Sequence, residues 1–156
     1  MEKATFGAGC FWHVEEAFRH LKGVTSTIVG YMEGILKNPT YEDVCTDKTG
    51  HAEVVELIYH PEKISFEELL NIFWDIHDPT TKNRQGPDLG TQYRSVIFYH
   101  TLEQKTTAET SKKNLEQSRK YKKKIVTEIT KATTFYPAEE YHQQYLAKHG
   151  LAACPY

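Results

Sequence analysis

Ala4-Thr5-Phe6-Gly7-Ala8-Gly9-Cys10-Phe11-Trp12-His13-Val14-Glu15-Glu16-Ala17-Phe18-Arg19-His20-Leu21 changes its period partway along. Ala4-Thr5-Phe6 reads as a short strand running into the small-residue turn Gly7-Ala8-Gly9. From residue 10 to 21 the apolar residues Phe11, Val14, Ala17, Phe18 and Leu21 recur at three- and four-residue steps, the spacing of one helix face. Gly23 stops that helix, and residues 24–31, rich in β-branched side chains, return to a strand.

The same alternation continues along the chain. Residues 34–50 hold Asn38-Pro39 and Asp47 and read mostly as loop. A second long strand is expected over 53–60. Ser65 caps a helix reaching residue 77, with Glu68 three residues on completing a capping box. Residues 78–91, with Pro79, Gly86, Pro87 and Gly90, form a loop long enough to suggest function. A strand over 95–100, a helix over 101–122, a strand over 125–130 and a helix over 138–148 complete the order, before the tail 149–156. Strands alternate with helices, but the connections are uneven. The expected class is α+β, a mixed sheet covered by helices. A doubly wound parallel sheet is the second choice, and it lacks the GxGxxG phosphate turn.

Composition narrows the function. The 156 residues suit one domain. With 39% hydrophobic and 26% charged residues the chain is neither disordered nor membrane-spanning in character, and no apolar run approaches a membrane helix. The N-terminus lacks a signal-peptide core, so a reducing cytoplasm is the expected location. Three cysteines, 10, 45 and 154, form no CxxC pair and no disulfide scaffold. The eight histidines make no HExxH pair, so no metal is expected. Seven of the thirteen residues 112–124 are basic. With Tyr121 as the one interleaved aromatic, that stretch reads as a solvated helix face rather than a nucleic-acid surface.

Chemistry points first to Cys10. A helix start offers unpaired N–H groups and partial positive charge, which would lower a thiol pKa. Phe11 and Trp12 beside it are suited to wall an apolar pocket, or simply to fill the core. Glu53, where a loop meets a strand, would serve as a general acid if burial raised its pKa, although a solvated strand-end glutamate is the ordinary case. Tyr41, Tyr93 and Asp88 lie in or beside loops. Cys154, near the C-terminus, is placed to meet an oxidised cysteine elsewhere. Cys45, between Val44 and Thr46, reads as buried filler. A cysteine hydrolase pairing Cys10 with His51 is the rival enzyme class.

Gly9-Cys10-Phe11-Trp12 resembles the signature of the A-type peptide methionine sulfoxide reductases. The resemblance continues in order through Gly30-Tyr31, Asn38-Pro39-Thr40-Tyr41, Val44-Cys45, Gly50-His51-Ala52-Glu53, Phe73-Trp74, His77-Asp78-Pro79, Gln85-Gly86 to Asp88, Gly90-Thr91-Gln92-Tyr93-Arg94-Ser95, Phe135-Tyr136, Glu139 and His142-Gln143-Gln144-Tyr145-Leu146. It implies a ferredoxin-like α/β sandwich, or roll, with long active-site loops. It further implies thiol-dependent reduction of the S epimer of methionine sulfoxide, free or in proteins. Cys10 would be the nucleophile, Glu53 the acid, and Tyr41 and Tyr93 donors to the oxygen. Asp88 would order the site, and Phe11 and Trp12 would hold the substrate methyl group. Cys154 would resolve the sulfenic acid, with Cys45 as the alternative, and thioredoxin would reduce the disulfide. No cofactor, metal, nucleic acid or membrane is implied, and a monomer is expected. The family often shows GYxGG where this chain has Gly30-Tyr31-Met32-Glu33-Gly34, so a different turn is expected at Glu33.

Overall fold

The computed structural model describes residues 1–151. The expected opening unit is present: β1 (Glu2–Ala8) turns at Gly9, φ 96°, into α1 (Phe11–Arg19), and β2 (Val24–Met32) follows. A positive φ at that turn is free for glycine and costly for any other residue. A short helix α2 (Tyr41–Cys45) precedes β3 (Ala52–Tyr59), then α3 (Phe66–Asp75), the small hairpin β4 (Arg84–Gln85) and β5 (Asp88–Leu89), and β6 (Ser95–Tyr99). Helix α4 (Leu102–Gln117), β7 (Glu128–Lys131), β8 (Tyr136–Pro137) and α5 (Tyr145–Lys148) close the chain. Short 3-10 turns cover Thr91–Tyr93 and Glu140–His142.

Among the described residues the main sheet runs β7-β6-β1-β3-β2-β8. β3 is antiparallel to both β1 and β2, which makes β1 and β2 parallel with β3 inserted between them. That is a split βαβ unit. With α3 and β6 added, β1-α1-β2-β3-α3-β6 has the ferredoxin-like order, and parallel β7 and antiparallel β8 extend it on either side. The sheet is therefore mixed and the fold α+β, as expected. The directions of the strands also fix the working end. β1 and β2 finish where β3, β6 and β7 begin, so Cys10, Glu53 and Tyr93 all fall at one end of the sheet.

Strand alternation sorts the faces. Phe6, Ala8, Tyr31, Val55, Leu57 and Ile97 belong to the large core, which Phe11, Val14 and Phe18 of α1 and Leu69, Leu70 and Phe73 of α3 complete. Phe6 stacks on both helices, 5.3 Å from Phe18 and 5.2 Å from Phe73. Met32, Ala52, Val54, Val96 and Phe98 form a smaller cluster. Glu53 shares the phase of Val55, so its carboxyl enters the helix-covered side. The Ser65–Glu68 capping box is present as expected, and such a cap stabilises a helix by about 1 kcal/mol.

Three expected elements differ. The segment 34–50 contains α2, started by a capping box in which Thr40 and Asp43 exchange hydrogen bonds. Helix α4 stops at Gln117, because Ser118 caps it and Arg119 turns left-handed at φ 57°. The basic residues after 117 therefore leave the helix, so 112–124 is not one helix face. The expected helix over 138–148 is mostly absent. Tyr136 and Pro137 pair with β2, the Gln143 side chain bonds both the N–H and the C=O of Val29, and Gln144 is left-handed with its N–H on Glu15. Only Tyr145–Lys148 is helical.

Glu33 takes φ 77°, the left-handed region that favours glycine. The turn is therefore one a glycine would adopt, and what departs is the side chain. Holding a non-glycine residue there costs about 1–2 kcal/mol. The Thr133 hydroxyl holds its N–H at 3.1 Å, and Arg94 holds its carboxylate at 3.0 Å.

Candidate active site

Cys10 is the N-cap of α1, and its carbonyl accepts from the N–H groups of His13 and Val14. Its thiol also receives the backbone N–H groups of Trp12 and His13, which favour the thiolate as expected. Burial outweighs them. Desolvation first, and then the charge of Glu53, push the thiol up to about 12, so the expected lowering is corrected. The helix start is real, but its thiol is largely desolvated and stands near the carboxylates of Glu53 and Asp88, contributed by distant parts of the chain.

Glu53 lies opposite Tyr31 in the β2–β3 ladder and is 1% exposed. Desolvation raises its carboxyl to about 8, against the pull of the Phe11 N–H, which donates to Oε1 at 3.3 Å. Oε2 has no hydrogen-bond partner among the described residues. Near neutral pH this side chain is a carboxylic acid holding a proton it has nowhere else to spend.

The phenols approach the same acid from two loops. Tyr41 opens α2 and Tyr93 ends the first 3-10 turn, and both feel the charge of Glu53; Tyr93 also feels Cys10 and Asp88. Burial raises both above the ordinary phenol value, so each stays an O–H donor. The two loops are joined, because the Thr91 N–H donates to Asp47 at 2.8 Å. Asp88, on β5, interacts electrostatically with Cys10, Glu53, His13 and Tyr93. The structure therefore brings together Cys10, Glu53, Tyr41, Tyr93 and Asp88.

Phe11 and Trp12 separate in role. Phe11 is a core residue at 1% exposure, its ring 5.7 Å from Tyr31 and 5.2 Å from His142. Trp12 is half-buried; it stacks on Tyr145 at 3.8 Å and donates from Nε1 to His142 Nδ1 at 2.9 Å. His142 is fully buried, and burial lowers its pKa. With Nδ1 accepting, the neutral ring carries its proton on Nε2.

Motif reading assigned no role to His142, Glu139 or Arg94, although all three lie in the quoted blocks. Glu139 accepts from the Tyr31 hydroxyl and the Tyr41 N–H, each at 3.0 Å, and so fastens the Tyr41 helix to β2. For His142 and Arg94 the signal is a polar residue next to a tyrosine, and for Glu139 there is none; the partners of His142 and Glu139 lie too far along the chain for spacing to reveal.

Cys45 is exposed, which corrects the expectation of buried filler: on the single turn of α2, Val44 points inward and Cys45 outward. Its thiol accepts from the Tyr41 hydroxyl. Cys154 lies outside the described residues. The hydrolase pairing finds no support, because His51 Nδ1 accepts from the Gly34 N–H at 2.9 Å and its Nε2 meets the Leu36 carbonyl at 2.7 Å. Among the described residues no cluster of three or more His, Cys, Asp or Glu suits a metal ion, and no helix is long and apolar enough to cross a membrane.

Comparison with known proteins covers nearly the whole chain. The family model for peptide methionine sulfoxide reductase matches residues 2–156. The peptide methionine sulfoxide reductase MsrA of Methanothermobacter thermautotrophicus is 63% identical over 153 residues, covering 98% of this chain and 90% of that protein. Among solved structures, reduced Mxr1 from Saccharomyces cerevisiae superposes with a TM-score of 0.91 at 36% identity, over 99% of this chain and 88% of that one. The same yeast protein in complex with Trx2 matches at TM-score 0.65 and 28% identity, over 99% of this chain and 86% of that one. The chain belongs to the peptide methionine sulfoxide reductase family.

Proposed function

We propose that this chain reduces the S epimer of methionine sulfoxide, free or in proteins, to methionine, using Cys10 and regenerating it with thioredoxin. The observation that carries the reading is the buried Glu53 carboxyl, which accepts from the Phe11 N–H at 3.3 Å in the first turn of α1 and whose charge reaches the Cys10 thiol that caps that helix. A sulfoxide oxygen leaves only when protonated, and Glu53 is protonated where a solvated glutamate would not be. Tyr41 and Tyr93 hold that oxygen, Asp88 orders the site, and Trp12 with Phe11 accommodates the methyl group.

The steps balance. Cys10 sulfur attacks the sulfoxide sulfur while Glu53 protonates the oxygen. The sulfoxide S–O bond breaks as an S–O bond forms at Cys10, giving methionine and a Cys10 sulfenic acid, and the thiol proton replaces the one Glu53 delivered, so the acid is restored. A second thiol, that of Cys154, condenses with the sulfenic acid, forming a disulfide and releasing water. Thioredoxin, whose family member Trx2 is seen bound to yeast Mxr1, then exchanges its dithiol for that disulfide. We read the chain as one domain acting as a monomer in a reducing cytoplasm, with 149–156 as the tail that carries the resolving cysteine.

Incubation with racemic methionine sulfoxide and dithiothreitol tests the reading. Consumption should stop when one epimer is exhausted, with about half the material left; loss of both epimers or of neither refutes it. Cys154→Ser should complete one turnover, releasing one methionine per protein, and then stall with thioredoxin as reductant. Sustained thioredoxin turnover in that variant would transfer the resolving role to Cys45 or to direct reduction.

A further inference from the structure

Arg94 follows Tyr93 directly and starts the segment leading into β6. Its guanidinium side chain is 11% exposed and makes four hydrogen bonds, to both ends of the β2–β3 connection, to the 3-10 turn and to β7. Nη1 donates to the Thr91 carbonyl at 2.9 Å, inside the turn that carries Tyr93. Nη2 donates to the Gly50 carbonyl at 3.1 Å, three residues before Glu53, and to the Glu33 carboxylate at 3.0 Å, just past the end of β2. Nε donates to Glu128 at 3.1 Å, at the start of β7. These acceptors come from the two ends of the β2–β3 connection, the 3-10 turn and β7, around the strand ends of the site.

The two carboxylates are not equivalent. Glu128 is half-exposed at 54%, whereas Glu33 is 29% exposed and sits on a left-handed backbone that resists any side chain. A strained non-glycine residue persists where its side chain has a use. The use visible here is to hold Nη2 beside Gly50, so that one guanidinium fixes the approach of the Glu53 strand and the Tyr93 turn together. We infer that Glu33 and Arg94 form a positioning pair that sets Tyr93 against Glu53 for proton delivery to the sulfoxide oxygen. This rests on the reductase reading above. Neither residue touches substrate; both act through Tyr93 and Glu53.

Glu33→Gly separates positioning from folding, because glycine takes φ 77° without strain. The variant should keep or raise the wild-type Tm. Its single-turnover rate constant at saturating sulfoxide should fall about tenfold, the scale of one lost charge-assisted hydrogen bond, with KM little changed. Glu33→Gln keeps an acceptor for Nη2 and should recover most of that rate. Arg94→Lys supplies a point charge that cannot span four acceptors, and should fall further than Glu33→Gly. An unchanged rate in Glu33→Gly overturns the inference. So does a rate that falls only together with Tm and is not recovered by Gln, since that is what a purely structural contact would do. A wild-type protein inert toward both epimers is a different failure, visible before any variant is compared, and it overturns the reductase reading.

Discussion

Cys10→Ser is expected to abolish sulfoxide reduction, with a loss on the order of 10⁴-fold or more, the scale seen when a covalent nucleophile is removed. The reason is chemical before it is structural. Sulfur accepts the transferred oxygen as a sulfenic acid, and a serine hydroxyl has no equivalent product. The fold should survive, because serine fills nearly the same volume and the N-cap carbonyl bonds to His13 and Val14 belong to the backbone. The check is methionine formed per protein in a single turnover, with Tm measured in parallel. Turnover at the wild-type rate in a folded Cys10→Ser protein would remove Cys10 from the mechanism.

The raised thiol sharpens what Cys10 must be doing. At about 12, a resting Cys10 is a thiol at neutral pH, and simple alkylation at pH 7 should be slow. The second cause of that value is the charge of Glu53, and with its own carboxyl raised to about 8 that charge is largely absent at pH 7. The two groups therefore titrate as a pair, and the proton on Glu53 makes the thiolate less costly. Activation falls to the bound sulfoxide, which takes the Glu53 proton as sulfur attacks, rather than to a standing thiolate.

Those features were legible in the sequence to different depths, for physical reasons. The β1–α1 unit could be read because a change from strand to helix period at Gly9 is a local event, and so is the Ser65–Glu68 cap. The family motifs named Cys10, Glu53, Tyr41, Tyr93 and Asp88, and the structure gathers all five at one end of the sheet. The thiol pKa departs from the sequence expectation because the helix start is local, whereas the burial that raises it is tertiary, and the charges of Glu53 and Asp88 come from the main sheet and from the separate β4–β5 hairpin. The segment 138–148 looked helical by composition, yet Gln143 bonds Val29 and Gln144 bonds Glu15, and such long-range partners override local propensity. Cys45 differs for a smaller reason: Val44 and Cys45 are neighbours in sequence, but the step of about 100° per residue around α2 buries the first and leaves the second exposed. The role of Arg94 could not be read from sequence, since three of its four partners, Glu33, Gly50 and Glu128, lie 34 to 61 residues away.

Glu53→Gln carries the second large effect, and here function and stability should move in opposite directions. Gln keeps the shape and one acceptor but cannot deliver a proton, so the chemical step at neutral pH should fall by about 10²–10⁴-fold, the usual contribution of a general acid. In the wild type, single-turnover rate should decline as pH rises through about 8, because the acid form is the active one; the Gln variant should lack that limb. Stability follows from the sign of the same shift. The folded carboxyl, at about 8, lies above its ordinary 4.5, so folding favours the protonated form. Below pH 4 both folded and unfolded chains hold the proton and there is no penalty. Between 4.5 and 8 the unfolded chain ionises while the folded one cannot, and stability is lost progressively, by about 3 kcal/mol at pH 7. Gln removes that loss at the expense of the reaction. Urea unfolding of both proteins at pH 4 and pH 7 should therefore show near-equal midpoints at pH 4 and a more stable Glu53→Gln at pH 7. A wild type as stable as the variant at both pH values would mean that Glu53 is ionised in the folded protein, and an ionised Glu53 has no proton to give the sulfoxide.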